Sequence, residues 1–293
     1  MKTNKYFFEM AVMMGVMTIA ACSSYELDLP QDTQVIHFTT SLAKTRTTGE
    51  LQTTALSTSV KVGVFGVSGN TTILNGNNNL YNVATDASLT ANAADMARPA
   101  GTSDKVDIYA YAPYQNEWTS YDAANSFSVS TDQSTDAGYL ASDLLWATVK
   151  EVSSNANLNF VHKLARVCIT ITNATANTMQ DVSASILNTK IATTLNPKNG
   201  EIGTATGEPT AINIASGQNL AVNAEMKAYA VVVPQKIESE KVFITITTNN
   251  KTMEWELNSD TTLESAKTYN IAIVVTDHSI WGQISTTATE PAL

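Results

Sequence analysis

The sequence predicts an all-β protein that is divided into two tandem β-sandwich domains. Runs with alternating apolar residues recur along the chain, residues that favour turns separate these runs, and no stretch has convincing helical periodicity. The chain has 293 residues, of which 43% are hydrophobic and 15% are charged. It is therefore long enough for two domains of ordinary size and too apolar to be disordered.

The first segment has the pattern of a secretory signal peptide. Two lysines give it a positive start, and its apolar core of about twelve residues is too short to span a bilayer core of ~30 Å as a helix. The segment ends in Ile19-Ala20-Ala21-Cys22, which matches the bacterial lipobox; an ordinary signal peptide with an incidental cysteine is the alternative. We predict a signal peptide over residues 1–21, a lipid on Cys22 that anchors the chain to the outer membrane, and a linker over residues 22–34.

The predicted strands share a period of two, which is typical of a strand with one face in a core. The clearest such runs are residues 60–64, 106–110, 242–246, 253–257 and 269–275. Asparagine and glycine at residues 75–79 and 196–200 predict turns between strands.

A polar stretch over residues 149–157 is the predicted linker between the domains. It separates an N-terminal domain over residues 35–152 from a C-terminal domain over residues 153–277, followed by a tail over residues 278–293. The buried parity of the apolar residues changes shortly afterwards, which predicts a break in the strand at Ala165 and Arg166.

Several classes of function lack support in the sequence. A net charge of −10 disfavours nucleic acid as a partner. The three histidines have no metal-ligand spacing, and His162 is predicted to be a hydrogen-bonded strand residue in or beside the core. Cys168, in an apolar run, is predicted to be a small buried hydrophobe. No nucleophile or phosphate-binding motif is present, so we predict no enzyme, metal or cofactor.

Two features leave alternatives open. Asp132 and Asp136 belong either to a solvated loop, which we favour, or to a calcium site. A cluster of aromatic residues either forms a surface that binds sugars or proteins, or places its alternate members in the core. Its members are Tyr109, Tyr111, Tyr114, Trp118 and Tyr121.

Several short motifs occur in a characteristic order along nearly the whole chain. The most diagnostic are residues 142–147, Ser-Asp-Leu-Leu-Trp-Ala, and residues 158–165, Leu-Asn-Phe-Val-His-Lys-Leu-Ala. The lipobox, Val-Ile-His-Phe at residues 35–38 and Lys-Thr-Tyr at residues 267–269 agree with them. In these motifs the chain resembles the fimbrillin-like family of Bacteroidetes, whose members include subunits of type V pili.

The resemblance implies two transthyretin-like, Greek-key β-sandwich domains and a route of assembly. In that route a protease cuts after an arginine behind the first strand, the strand leaves, and a strand of the next subunit fills the groove. The candidate cleavage site is Arg46, and the strand to be released contains the alternating apolar residues Ile36, Phe38 and Leu42.

The donor strand implied by the resemblance is the segment that contains Ile280, Trp281 and Ile284. The expected partners are other pilus subunits, the outer membrane and surface ligands, and the expected location is the cell surface. A surface lipoprotein that binds glycan or host protein without polymerising is the alternative function. A glycan hydrolase would need two carboxylates that meet only in the folded chain.

Overall fold

The computed structural model describes residues 34–43, 52, 54–98, 104–249 and 251–287. The regular secondary structure of these residues is almost entirely β-strand, which confirms the all-β prediction, and the helix among them has seven residues. The predicted signal peptide, Cys22 and Arg46 lie outside the described residues.

Residues 34–162, here called the first region, contribute one helix, α1 (Asp136–Ser142). The strands of the first region are β1 (Gln34–Val35), β2 (His37–Leu42), β3 (Lys61–Ser68), β4 (Thr71–Thr72), β5 (Asn79–Val83), β6 (Leu89–Ala91), β7 (Ala97–Arg98), β8 (Val106–Ala112), β9 (Asn125–Ser128), β10 (Leu145–Val152) and β11 (Asn155–His162).

An eight-stranded sheet dominates the first region. Its order is β2-β11-β10-β8-β3-β5-β6, with β4 paired to β3. The sheet curls until its two ends meet, since Thr39 forms an isolated bridge with Ser88 and the Thr40 N–H donates to the Ala87 carbonyl over 2.8 Å. One core cluster fills the space that the curled sheet encloses, with side chains from β2, β3, β5, β6, β8, β10 and β11.

Residues 165–287, here called the second region, contain two four-stranded sheets and shorter pairs of strands. Their strands are β12 (Ala165–Asn173), β13 (Met179–Thr189), β14 (Ala192–Asn196), β15 (Glu201–Ile202), β16 (Thr210–Leu220), β17 (Glu225–Val232), β18 (Gln235–Ile237), β19 (Val242–Thr247), β20 (Thr252–Glu256), β21 (Thr261–Leu263), β22 (Thr268–Val275) and β23 (Ile280–Thr287). The sheet orders are β17-β12-β22-β23 and β16-β13-β19-β20, and both sheets contribute to one apolar core.

The two regions are joined by more than the chain connection. Strand β9 of the first region pairs with β14, which pairs with β15, to form a three-stranded sheet. The core of the second region also takes in Phe65 and Tyr111, which point away from the core of the first. As a result β3 and β8 are buried on both faces, with Val62 and Val64 on the inner one. The prediction that these strands are buried on one face only is wrong, because side chains such as Trp118 and Phe127 cover the other face.

The stretch predicted as a linker is a β-hairpin. Strand β10 ends at Val152, β11 begins at Asn155, and both strands lie in the eight-stranded sheet. The predicted boundary between residues 152 and 153 therefore falls within the turn of this hairpin. Polar residues such as Asn157 and Asn159 do not prevent a strand here, because they alternate with Ala156, Leu158 and Phe160, which enter the core.

The predicted change of parity marks the passage from one sheet to another. Strand β11 ends at His162 and β12 begins at Ala165, so the break lies at Lys163 and Leu164, two residues before the predicted place. At the other end, β23 occupies half of the predicted tail and pairs with β22 along its whole length. The second region thus extends beyond the predicted limit of residue 277.

Candidate functional site

Strand β2 lies inside the first region with its apolar face in the core. The alternation predicted for Ile36, Phe38 and Leu42 is present, and all three side chains are buried. The Phe38 ring meets the Tyr81 ring edge to face, with 5.4 Å between the ring centroids. These three side chains hold the strand chiefly through apolar burial, which stabilises by roughly 1.5–3 kcal/mol for each side chain.

The opposite face of β2 carries a polar ladder. Strand β2 runs parallel to β11, and all six of its residues have partners there. The Thr39 hydroxyl donates to Asn157 Oδ1 over 3.2 Å, and the Ser41 hydroxyl donates to Asn159 Oδ1 over 3.2 Å. These side chains fix the register of β2 against β11, because a slip by one residue would turn the polar face towards the core.

The other edge of β2 is only partly paired. A cavity of about 470 Å³ lies beside it, lined by His37, Phe38 and Thr39 on one side and by Leu89 and Ala91 on the other. The backbone of β2 therefore has a continuous neighbour in β11 and a gap towards β6. Removal of β2 would widen this gap into a groove with apolar walls, which water would fill at a cost in free energy.

The chain is held on both sides of the segment that contains Arg46. Before it, the Ala43 N–H donates to the Phe160 carbonyl over 2.9 Å. After it, Gln52 Nε2 donates to Asp143 Oδ2 over 2.9 Å, and both side chains are buried. Residues 44–51 thus connect two fixed points, one just after β2 and one beside the end of α1.

Asp143 also contacts His162, the last residue of β11. Asp143 Oδ1 lies 2.9 Å from His162 Nδ1, and both side chains are buried. The prediction of a hydrogen-bonded strand histidine in the core is confirmed. The two diagnostic motifs meet at this pair, since residues 145 and 146 pair with residues 162 and 161. Because solvent does not reach the two side chains, the pair is suited to holding structure rather than to acting on a substrate.

Strand β23, the candidate donor, is an edge strand of the second region. It ends the order β17-β12-β22-β23 and pairs antiparallel with β22. Ile280 and Ile284 are half-buried, while Trp281 on the other face is 59% exposed. Gly282 lies against the Trp255 ring, and a Cβ at this position would come within 2.5 Å of Trp255 Cε2.

The aromatic cluster singled out in the sequence is mostly core. Tyr109, Tyr111 and Trp118 are buried, with Tyr111 and Trp118 stacked at 4.1 Å between centroids. The Tyr111 hydroxyl donates to Asn78 Oδ1 over 2.7 Å, and burial raises the pKa of this hydroxyl above its ordinary value. Of the two alternatives, the core interpretation therefore holds for these three residues. Tyr114 is half-buried and packs against the same core.

Other predicted positions have structural explanations. The Asp132 carboxylate accepts hydrogen bonds from the N–H and hydroxyl of Ser134 and from Asn213, which lower the pKa of Asp132 below its ordinary value. Cys168 is half-buried on the outer face of β12, so the prediction of a buried position is wrong. Among the described residues, no group of three or more His, Cys, Asp or Glu side chains is placed to hold a metal ion. Within the same part of the chain, no helix is long and apolar enough to cross a membrane.

Comparisons with known proteins agree with this architecture. A family model of fimbrillin-like proteins matches residues 45–290, and the chain therefore belongs to the fimbrillin-like family. A search of curated proteins finds no match.

Two solved structures share the fold of this chain. The first is a protein from Bacteroides ovatus proposed to act in cell adhesion, with 18% sequence identity and a TM-score of 0.68. The match covers 89% of this chain and 98% of that one. The second is a protein from Bacteroides uniformis with the same proposed role, 20% identity and a TM-score of 0.64. It covers 87% of this chain and 98% of the other.

Proposed function

We propose that this chain is a subunit of an adhesive surface pilus that assembles by strand replacement. Membership of the fimbrillin-like family and the likeness to two proteins proposed to act in cell adhesion support the role. The observation that carries the mechanism is strand β2. It is buried on one face, partly paired on one edge, and attached to the rest of the chain through the segment that contains Arg46.

Cleavage after Arg46 converts β2 from part of the chain into a bound peptide. Uncut, the strand stays covalently joined to Gln52, whose side chain binds the buried Asp143. Once cut, β2 is held by one parallel ladder, its own apolar side chains and its end contacts. A strand of another subunit that fills the same pockets and pairs with β11 replaces it, beginning from the gap between β2 and β6.

The proposed donor is β23 of a second copy. As an edge strand it leaves one neighbour, β22, and withdraws only two half-buried isoleucines from the core. Ile280, Gly282 and Ile284 have the spacing of two that a groove shaped for Ile36, Phe38 and Leu42 requires. Because Gly282 would leave the pocket of Phe38 unfilled, further contacts with the new neighbour would have to offset that lost burial.

The same proposal includes the location and the domain division. A lipid on Cys22 would hold the chain at the outer membrane until cleavage after Arg46 separates the lipidated peptide from the remaining subunit. Two transthyretin-like domains would meet at Lys163 and Leu164, where β11 gives way to β12. The division of the large sheets between the two regions supports this boundary, with β9 as an exchanged strand between them.

The test uses purified residues 23–293 and an arginine-specific protease. We expect a cut after Arg46, retention of the β2 peptide on the protein, and exchange of that peptide when a synthetic peptide of residues 278–293 is added. Mass spectrometry of native complexes would follow the exchange, and size-exclusion chromatography would follow the formation of oligomers.

Two variants make the test specific. Arg46→Gln removes the cleavage site, while Lys44→Gln removes the same charge two residues away and leaves the arginine in place. We expect oligomers from the Lys44→Gln variant and none from the Arg46→Gln variant. A cut protein that keeps its β2 peptide after the synthetic peptide is added, and that remains monomeric, would contradict strand replacement.

That result would favour the second candidate function, which is a surface lipoprotein that binds glycan without polymerising. One observation favours it, a cavity between the two regions that combines positive charge with aromatic rings.

A further inference from the structure

A second cavity lies where the segment before α1 meets strands β16 and β17. It has a volume of about 450 Å³, a size that suits a small ligand. The side chains that line it include Gln133 and Tyr139 from the first region and Arg166, Lys227 and Tyr229 from the second. Because both regions contribute, the cavity exists only when they are packed together.

Two cationic residues line the cavity in a chain whose net charge is −10. Arg166 lines it although only 2% of this residue is exposed, and its guanidinium lies 4.8 Å from the centre of the Tyr229 ring. Lys227 is exposed at the same cavity, and Asp136 is the one carboxylate among the lining residues. Arg166 and Lys227 are both of the kind of cation that binds a carboxylate through charge-assisted hydrogen bonds.

Backbone groups of β17 also face this cavity. Gln133 pairs with the outer edge of β17 at Val231, where its Nε2 donates to the carbonyl over 2.9 Å and its Oε1 accepts from the N–H over 2.8 Å. In an antiparallel pair, the backbone groups of alternate residues point to the same edge. Those of Tyr229 and Lys227 therefore point outward as well, and both residues line the cavity.

The apolar part of the lining is aromatic and aliphatic. The Tyr139 and Tyr229 rings are accompanied by Ile214, Met226 and Ala228. A sugar ring presents a face of C–H groups to such surfaces and directs its hydroxyls towards polar groups such as Gln218 and the β17 backbone. A carboxylate on that ring matches the fork of donors on a guanidinium.

We propose that this cavity binds an acidic sugar residue, with its carboxylate on Arg166 and Lys227 and its ring against Tyr229. An extended peptide added to the edge of β17 fits less well, because Gln133 already occupies that edge at Val231 and would stop the ladder after a few residues. The inference goes beyond the proposed function, since the cavity belongs to the monomer and binds whether or not β2 is exchanged.

Calorimetric titration of the uncut monomer tests this assignment. The probes are glucuronate, galacturonate and N-acetylneuraminate, and glucose serves as a neutral control that differs from glucuronate in the carboxylate. A peptide that ends in a free carboxylate and acetate alone represent the other sources of the same anion. We expect at least one acidic sugar to saturate the site below about 10 mM, and the other probes to bind at least about tenfold more weakly.

Matched variants assign the binding to this cavity. Lys227→Gln is expected to weaken the sugar about fivefold, whereas Lys241→Gln, which removes the same charge from an exposed residue outside the cavity, leaves it unchanged. Arg166→Gln is expected to weaken it at least about tenfold, with the fold checked by circular dichroism. If that variant does not fold, the comparison of Lys227→Gln with Lys241→Gln shows whether the sugar binds in this cavity.

Three results would overturn the proposal. The first is no saturable binding of any acidic sugar. The second is binding of the peptide or of acetate as tightly as the best sugar, which would leave an anion site without selectivity for a sugar. The third is an equal loss of affinity in the Lys227→Gln and Lys241→Gln variants, which would place the binding elsewhere on the surface.

Discussion

Strands β2 and β23 are the first and last long strands of the described chain, and they are held in opposite ways. Strand β2 lies parallel to β11, and its side chains Phe38 and Leu42, with Ile36 just before it, are buried in the first core. Strand β23 lies antiparallel at the edge of its sheet, with two half-buried isoleucines and an exposed tryptophan. Loss of β2 opens a core, whereas loss of β23 uncovers the edge of β22 and the ring of Trp255.

In the proposed assembly, this difference would give the two ends of the chain different roles. A strand whose departure opens a core does not leave spontaneously, so the proposed exchange at β2 would need a cut in the chain and a replacement strand. A strand at an edge is able to detach at small cost and search for another groove. Polymerisation would run in one direction if the groove left by β2 accepts a strand and β23 of another copy is the strand donated.

The largest expected effect comes from shortening the central side chain of β2. Phe38→Ala removes a buried ring that meets Tyr81, and we expect the free energy of unfolding to fall by about 3–5 kcal/mol. Urea unfolding followed by fluorescence measures this change. Thr39→Ala alters the adjacent, outward-facing residue and should cost less than about 1 kcal/mol. An equal loss of unfolding free energy in the two variants would show that the inward face of β2 contributes no more to stability than the outward face.

The next effect concerns the tether behind β2. Asp143→Ala removes the carboxylate that binds Gln52 and His162, and we expect a loss of about 1–3 kcal/mol in stability. Hydrogen exchange should quicken around Gln52, and cleavage after Arg46 should become faster. Asp136→Ala, which changes an exposed carboxylate on α1, should alter neither rate. If cleavage is unchanged in Asp143→Ala, the tether does not control access to Arg46.

A smaller effect is expected where β23 packs against its own sheet. Gly282→Ala places a Cβ in the space of the Trp255 ring, and we expect this overpacking to weaken the docking of β23 by about 1–3 kcal/mol. Hydrogen exchange of the peptide that spans β23 measures this docking. The peptide that spans β2 provides the control, since it lies in the other region. Faster exchange in both peptides would mean that the two strands are not independent.

The sequence predicted which face of β2 is buried, but it did not predict which strands lie beside β2. The spacing of Ile36, Phe38 and Leu42 is a local signal, and it correctly indicated which face is buried. The parallel partner β11 lies more than 100 residues further along the chain, and no local pattern in either strand indicates that they pair. Asn157, which supports this pairing, belongs to the polar stretch that led to the prediction of a linker.

The candidate sites divide in a similar way. His162 was correctly placed in the core because it shares a parity with Leu158 and Phe160. The cavity at Arg166 was not predicted, because it is assembled from residues of α1, β12, β16 and β17. One local signal for it did exist, namely a charged residue between Ala165 and Val167 in an apolar strand, where a charge needs a specific environment.

The smallest effect on the monomer is expected at Trp281, and it gives the sharpest test of the comparison. Trp281 is 59% exposed on β23, so Trp281→Ser should change the free energy of unfolding by no more than about 0.5 kcal/mol. In the polymer this ring would lie on the outward face of the donated strand, beside the neighbours of β2 in the next subunit. We therefore expect cut subunits of Trp281→Ser to form shorter oligomers than the native sequence.

Leu74→Ser is the matched control for this variant. It removes another exposed apolar side chain, on the first region and away from β23, and should shorten no oligomers. The two variants are compared by size-exclusion chromatography with light scattering after cleavage with the same protease. If Trp281→Ser subunits polymerise as well as Leu74→Ser subunits, the outward face of β23 makes no contact in the polymer, and the donor role would rest on Ile280 and Ile284 alone.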